Sequence, residues 1–211
     1  VKHLAGGAKT LRSRSVGLYG PTKGASRILN IMAKYGLTST WFVPAVNVVR
    51  YPSLVRMIRD AGHEIAHHGY DHDSDYGSTV KKQLATIEKS QVIFEEVLGK
   101  RAVGFRPTGS LLPGTEKALT KDPATVYISQ DIGAELIQFY QAGGRTTQTV
   151  HLPCRQELDD YIQLVYHLYP QVPAGLPRIA PYESVLKGFI REVAGVAGWH
   201  KAVATAFEPP I

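Results

Sequence analysis

The chain has 211 residues, of which 44% are hydrophobic and 20% charged, and this composition is typical of one globular domain with a sizeable core. It excludes an intrinsically disordered chain, and no apolar run is long enough to cross a membrane. The single cysteine, Cys154, excludes an internal disulfide. The first residues lack a signal-peptide pattern, which predicts a cytoplasmic protein without a membrane partner.

The basic residues are concentrated at the start of the chain. The formal net charge is +6, and residues 1–59 contain ten lysines and arginines but no acidic residue. A basic face attracts nucleic acid by releasing counterions. Here, however, the arginines are spread through amphipathic segments, and no aromatic-rich binding motif accompanies them. We therefore predict no nucleic-acid partner.

In the first half of the chain, helical and strand patterns alternate. Residues 1–16 have no clear period and are predicted to form an irregular arm. The predicted elements that follow are a helix from Thr22 to Gly36, strand 39–43, a helix from Pro52 to Gly62, strand 63–66, a helix from Ser78 to Gly99 and strand 102–105. This alternation predicts an α/β fold with parallel strands and outer helices. In such folds, reactive groups gather at the carboxyl ends of the strands.

The second half of the chain has weaker patterns. The predicted elements are a short helix at 113–120, strand 125–129, a polar turn at 141–149, a core strand at 150–152, a helix at 181–193 and a last strand at 202–207. No repeat or linker divides residues 17–211, so the sequence predicts a single domain there.

A histidine-rich segment follows the predicted strand 63–66. Its sequence from Gly62 to His72 is Gly-His-Glu-Ile-Ala-His-His-Gly-Tyr-Asp-His, and Gly69 lets the backbone turn between His68 and His72. Histidine is a common zinc ligand, and catalytic zinc takes about three protein ligands and leaves one position open. His68 and His72 are therefore predicted to be two metal ligands. The alternative interpretation is a polar surface loop.

The third metal ligand stays open at this point. The candidates are Asp71, Asp73, Asp75, Asp159, Asp160 and Glu208. Asp71 is the preferred candidate because it is adjacent to His72. The alternative role of Asp71 is that of a turn residue whose side chain bonds its own backbone.

Several blocks of the chain resemble one family. The segment from Gly62 to His72 resembles the second motif of the NodB-homology polysaccharide deacetylases, carbohydrate esterase family 4. Gly-Phe-Arg-Pro at 104–107 resembles the third motif, and Thr-Trp-Phe-Val-Pro at 40–44 resembles the strand before the second motif. Residues 152–161 and 172–180 resemble the allantoinase-like and cyclic-imide-hydrolase-like branch in particular.

This resemblance implies a fold and an activity. The expected fold is a distorted (β/α) barrel with parallel strands and outer helices. The expected activity is metal-dependent hydrolysis of carbon–nitrogen bonds other than peptide bonds, with zinc as the expected metal. The reaction would either remove N-acetyl groups from a polysaccharide or open a cyclic imide or ureide. The partner would then be a carbohydrate or a small cyclic amide, and the branch implies a homo-oligomer.

The resemblance also implies roles for individual residues. Arg106 matches the family arginine that orients the catalytic carboxylate, and Glu208 stands where members have a general-acid histidine. A carboxylate donates a proton at neutral pH when desolvation raises its pKa. The residues expected to bind substrate are Pro107, Tyr70, Asp159 and Asp160.

One family feature is missing from the sequence. Members carry an aspartate in their first motif that provides the general base and a metal ligand, yet no acidic residue precedes Asp60 here. We therefore expect a chain that is shorter than the family domain at both ends. A second hypothesis follows, in which a catalytically degenerate member binds a carbohydrate in a lectin-like way. In that case Tyr70, Trp41 and Tyr161 would stack on a sugar ring.

Overall fold

The computed structural model describes residues 17–72, 77, 79–130, 133, 136–142, 144–154, 158–159 and 182–206. The predicted arm at 1–16 lies outside these residues, as do Asp73, Asp75, Ser78, Asp160, Tyr161 and Glu208. The chain divides into two compact units, residues 1–153 and residues 154–211.

The described part of the first unit alternates helices with strands. The strands are β1 (Thr40–Val43), β2 (Glu64–His67), β3 (Gly104–Phe105), β4 (Tyr127–Gln130), β5 (Gln138–Ala142) and β6 (Arg145–Pro153). The helices are α1 (Ala25–Tyr35), α2 (Ala45–Arg50), α3 (Pro52–Asp60), α4 (Val80–Leu98) and α5 (Pro113–Leu119). In the second unit, α6 spans Tyr182–Ala206. No helix in these described ranges is long and apolar enough to span a membrane.

The six strands form one sheet in the order β1-β2-β3-β4-β6-β5. All neighbouring pairs are parallel except β5 and β6, which are antiparallel. The α/β class with mostly parallel strands is therefore confirmed. Because parallel strands end at the same edge of a sheet, the residues that follow β2 and β3 lie close together. His68 and Arg106 are these residues.

The helices pack on the sheet through two groups of buried residues. One group joins α2, α3 and α4, and it consists of Ala45, Val48, Val55, Phe94, Leu98 and Ala102. The other lies against β3, β4 and β5, and it consists of Ile87, Phe105, Leu119, Ile128 and Tyr140. His67, only 1% exposed, touches both groups. Its ring stacks on Phe105 at 4.2 Å between centroids and meets Phe94 edge-on at 6.1 Å.

Two predicted helix starts are wrong. Thr22 does not cap α1, because the chain is already helical at 17–19 and a π-helical turn runs from Gly20 to Gly24. The Thr22 hydroxyl instead donates to the Leu18 carbonyl at 2.5 Å. The cap of α4 is Thr79, whose hydroxyl accepts the Lys82 N–H at 3.3 Å. A short polar side chain caps a helix only from the residue just before its first turn.

Two predicted elements near the end of the first unit and in the second unit are also wrong. Residues 141–149 are not one polar turn, because β5 and β6 form a hairpin there with Gly144 in its turn at a φ of 73°. Most side chains around this turn are exposed and polar, so the segment resembles a loop in sequence. Residues 202–206 continue helix α6 and are not a strand. Alanine favours the helix there.

Candidate metal and substrate site

The loop after β2 holds the predicted histidine pair. The rings of His68 and His72 lie 5.1 Å apart between centroids and are tilted by 54°. Gly69 has a positive φ of 69°, a conformation that glycine adopts without strain. The carbonyls of Gly69 and Tyr70 accept the backbone N–H groups of Ala45 and Val46 at 3.0 and 2.9 Å. The first turn of α2 therefore fixes the loop with donors that have no partner inside the helix.

The orientation of the His68 ring is set by the strand beside it. Its Nδ1 lies 2.6 Å from the backbone carbonyl oxygen of Arg106. Since a carbonyl only accepts, Nδ1 carries the proton and the Nε2 lone pair is left for a ligand. Burial lowers the pKa of His68 to about 4, although the hydrogen bond to the Arg106 carbonyl raises the pKa in part. The ring is therefore neutral at pH 7, which is the form that binds metal.

The neighbouring His67 has a different role. It points into the core, and its Nδ1 accepts the Gly69 N–H at 3.3 Å. Burial lowers its pKa to about 3, and the charge of His68 acts in the same direction. His67 is thus a packing residue that also holds the loop.

We predict that this burial makes the fold sensitive to acid. The unfolded histidine has a pKa near 6.5 and the folded one about 3, so the unfolded chain binds more protons below pH 6.5. The contribution of the neutral, buried His67 to the free energy of unfolding is complete above pH 6.5 and is lost as the pH falls toward 3. At pH 5 the loss is about 2 kcal/mol. Urea unfolding at pH 7 and pH 5 should therefore show a smaller pH effect in His67→Phe, which keeps a ring against Phe105, than in wild type. An equal pH effect in both proteins would contradict this.

Arg106 follows β3 and is held from two sides. Its Nε and Nη2 groups donate to the hydroxyl of Ser129 at 3.2 and 2.8 Å. The guanidinium carbon lies 4.1 Å from the centroid of the Phe42 ring, in a cation–π contact. The sequence did not single out Phe42 or Ser129. The only available signal was the position of Ser129 near the carboxyl end of a predicted parallel strand.

A second set of polar side chains, centred on Glu64, connects neighbouring strands of the sheet. Glu64 accepts hydrogen bonds from the hydroxyls of Thr40 at 2.6 Å and Tyr127 at 2.9 Å. Burial and the nearby Glu64 raise the pKa of Tyr127. The Tyr127 ring fits because Gly104 has no side chain, since a Cβ there would lie 2.0 Å from the Tyr127 Cζ. These contacts join β1, β2, β3 and β4 across the sheet.

An open pocket of about 440 Å³ lies beside the histidine loop. Its polar lining residues are His68, Arg106, Ser39 and Thr40. Its other lining residues come from α1 and from β1, and they are Ile28, Met32, Trp41 and Phe42. The lining of the pocket therefore combines a potential metal ligand, a cation and an apolar wall.

The other predicted site residues fall in several places. Tyr70 is half-buried against the core, and the Lys89 ammonium lies 3.4 Å from the centroid of its ring. Pro107 is half-buried beside Arg106, and Asp159 belongs to the unit formed by residues 154–211. Binding of substrate by these three residues stays a prediction. Asp160 and Glu208 lie outside the described residues.

The residues present fit two positions of a metal site. His68 and His72 are adjacent, and the His68 ring is neutral with its Nδ1 anchored. Within the described residues, no three His, Cys, Asp or Glu side chains are arranged to hold a metal ion, and the role of Asp71 as a ligand stays a prediction. Four further candidates for the third ligand, Asp73, Asp75, Asp160 and Glu208, lie outside the described residues.

Comparison with known proteins identifies the family. A family model described as polysaccharide deacetylase matches residues 18–133, which is more than half of the chain. The chain belongs to the polysaccharide deacetylase family. A peptidoglycan deacetylase from Helicobacter pylori is 33% identical over 100 residues, which are 47% of this chain and 34% of that protein. The chain therefore spans about a third of this curated relative.

Two solved structures have a fold similar to this one. A Mycobacterium smegmatis protein assigned to the polysaccharide deacetylases is 30% identical with a TM-score of 0.74, covering 88% of this chain and 63% of that chain. The allantoinase PuuE is 25% identical with a TM-score of 0.63, covering 72% of this chain and 50% of that chain. The resemblance seen in the sequence motifs is thus confirmed at the level of family and fold.

Proposed function

We propose that the chain carries the active site of a metal-dependent hydrolase that removes N-acetyl groups from a polysaccharide. The observation that carries this proposal is the His68 ring, which is neutral, fixed through Nδ1 and adjacent to His72. The family and its peptidoglycan deacetylase relative support the substrate class. The proposed metal ligands are His68, His72 and one carboxylate from the candidates above.

The chain's own residues would divide the work as follows. His68 and His72 hold the metal through ring nitrogens, and when bound, a divalent ion such as zinc polarises the amide carbonyl. Arg106 is fixed by Ser129 and Phe42, so its positive charge faces the pocket without reorganisation during the reaction. The apolar wall of the pocket contacts the acetyl methyl group. Protonation of the leaving nitrogen would fall to Glu208, which stands where the resemblance places the general acid of the family.

Opening of a cyclic imide or ureide is the other reaction proposed for this site. The allantoinase structure is similar over 72% of this chain, and a pocket of about 440 Å³ is large enough for a small ring. Both reactions break a carbon–nitrogen bond of an amide and place the same demands on His68 and Arg106. Only the bound substrate differs.

Product analysis tests this function directly. The chelated protein, with and without added zinc, is incubated with an N-acetylated chito-oligosaccharide, with peptidoglycan and with hydantoin. We expect zinc-dependent release of acetate from a glycan. Zinc-dependent ring opening of hydantoin without acetate release would instead assign the imide reaction. His63→Gln is the matched control for metal binding, because His63 is not a proposed ligand and lies just before β2 near Ser39, and it should retain the metal.

A degenerate, carbohydrate-binding member is the second candidate. It is favoured by the absence of a third ligand near His68 and His72 among the described residues. It predicts that the same oligosaccharides bind without any product, with or without zinc. Metal-dependent product formation from any of the substrates would exclude it.

A further inference from the structure

A contact outside the pocket reaches the histidine loop from helix α4. Between His68 and His72, the Tyr70 ring is half-buried and packs against the core group that joins α2, α3 and α4. Lys89 lies on α4, and its ammonium is 3.4 Å from the centroid of the Tyr70 ring. At this distance the cation covers a face of the ring, and a lysine stem can pack along apolar surface while its charge stays in water. A helix that supplies no proposed ligand therefore contacts the loop.

The two histidines of the loop are held in different ways. The His68 ring comes directly after β2 and is anchored on the carbonyl oxygen of Arg106. His72 lies four residues further along, and the chain reaches it through Tyr70, whose carbonyl accepts the Val46 N–H at 2.9 Å. The distance between the two histidine rings, 5.1 Å between centroids, therefore depends on where Tyr70 is held.

We propose that Lys89 is a positioning residue for the histidine pair. Its ammonium holds the Tyr70 ring on the side of α4, and this contact keeps His72 beside His68 before any metal ion binds. A loop that is already ordered does not have to be ordered during binding, so the contact contributes to metal affinity. The inference rests on the proposed function, since it concerns how the same metal ligands are held.

Three roles of Lys89 predict different effects on zinc affinity. If Lys89 acted only through its charge, removing the ammonium would tighten zinc binding, because like charges repel. If Lys89 only stabilised the fold, its loss would lower the free energy of unfolding and leave the zinc affinity unchanged. If Lys89 positions the loop, its loss must weaken zinc binding, because the ion then has to order the loop as well.

Zinc titrations of lysine variants separate these roles. Lys89→Met keeps an apolar stem but removes the ammonium, and it should weaken zinc binding roughly 3- to 10-fold. Lys89→Arg keeps a cation that can cover the ring and should bind zinc as wild type does. Lys81→Met, at an exposed position near the start of the same helix, is the control for the loss of one charge and should also match wild type. Unchanged or tighter zinc binding by Lys89→Met would overturn the proposal.

A double-mutant cycle tests whether Lys89 acts through Tyr70. In a Tyr70→Leu background the ring is absent, so Lys89→Met should cause no further loss of zinc affinity. The same loss in both backgrounds would show that Lys89 does not act through the ring and would refute the proposed role.

Amide hydrogen exchange of residues 70–72 in zinc-free protein tests the contact without any metal. Exchange should be roughly 3- to 10-fold faster in Lys89→Met than in wild type, and unchanged in Lys81→Met. If wild type binds no zinc, the proposed function fails while this measurement still decides the role of Lys89. Faster exchange in Lys89→Met then supports the positioning of the loop, and equal exchange refutes it.

Discussion

Replacing His68 by alanine is expected to abolish metal retention and with it any amide hydrolysis. The substitution removes the ligand whose ring is best fixed, because its Nδ1–H is held by the Arg106 carbonyl. Even loss of a residue that only orients a ligand costs 10- to 100-fold in metal affinity, so loss of the ligand itself should cost roughly 100-fold or more. His72→Ala should have the same effect, since two protein ligands would be reduced to one in this loop.

Elemental analysis after dialysis measures this effect, with product assays on the same samples. Wild type should retain about one equivalent of zinc or a similar ion if a third ligand completes the site. His63→Gln should match wild type, because His63 lies near Ser39 at the start of β2. Full metal content and turnover in His68→Ala would exclude the proposed ligand set. Absence of metal from wild type as well would favour the carbohydrate-binding candidate.

Replacing Gly104 by alanine should destabilise the fold by about 3 kcal/mol. The added Cβ would lie 2.0 Å from the Cζ and 2.1 Å from the hydroxyl oxygen of Tyr127. The Tyr127 ring must then move, and it is held by its hydrogen bond to Glu64 and by an edge contact with Phe42. The variant therefore combines overpacking with loss of a half-buried hydrogen bond.

Urea unfolding of a double-mutant cycle tests this explanation. In a Tyr127→Val background the clash is absent, so Gly104→Ala should cost less than about 1 kcal/mol there. Gly109→Ala is the matched control, because its Cβ meets no atom within 4 Å and its φ is not positive. If the cost of Gly104→Ala is the same with valine at position 127, the clash with Tyr127 is not the cause.

Local patterns in the sequence were sufficient to predict most helices and strands of the first unit. Hydrophobic periodicity and glycine or proline signals predicted β1, α3, β2, α4 and α5 to within a few residues, because these elements bury one face against the core. The same reasoning predicted the core strand at 150–152 within β6 but failed for β5 and for the first half of β6, where most side chains are exposed. These missed parts pair with each other across the turn at Gly144, and exposed strands of this kind lack the regular alternation of buried and exposed residues that marks a strand in a sequence.

For the site, the sequence by itself determined the residue types and their order. The spacing of His68 and His72 and the Arg-Pro pair at 106–107 placed an arginine beside the histidine loop and, with the other motif blocks, indicated the family, while the metal in that loop stays a prediction. Only the tertiary structure decided which atoms are available. His67 lies in the core, whereas His68 lines the pocket. The backbone carbonyl of Arg106 fixes the His68 ring, and the hydroxyl of Ser129 fixes the Arg106 side chain. These contacts join neighbouring parallel strands whose residues lie 23 to 38 positions apart, and no local pattern encodes such a distance.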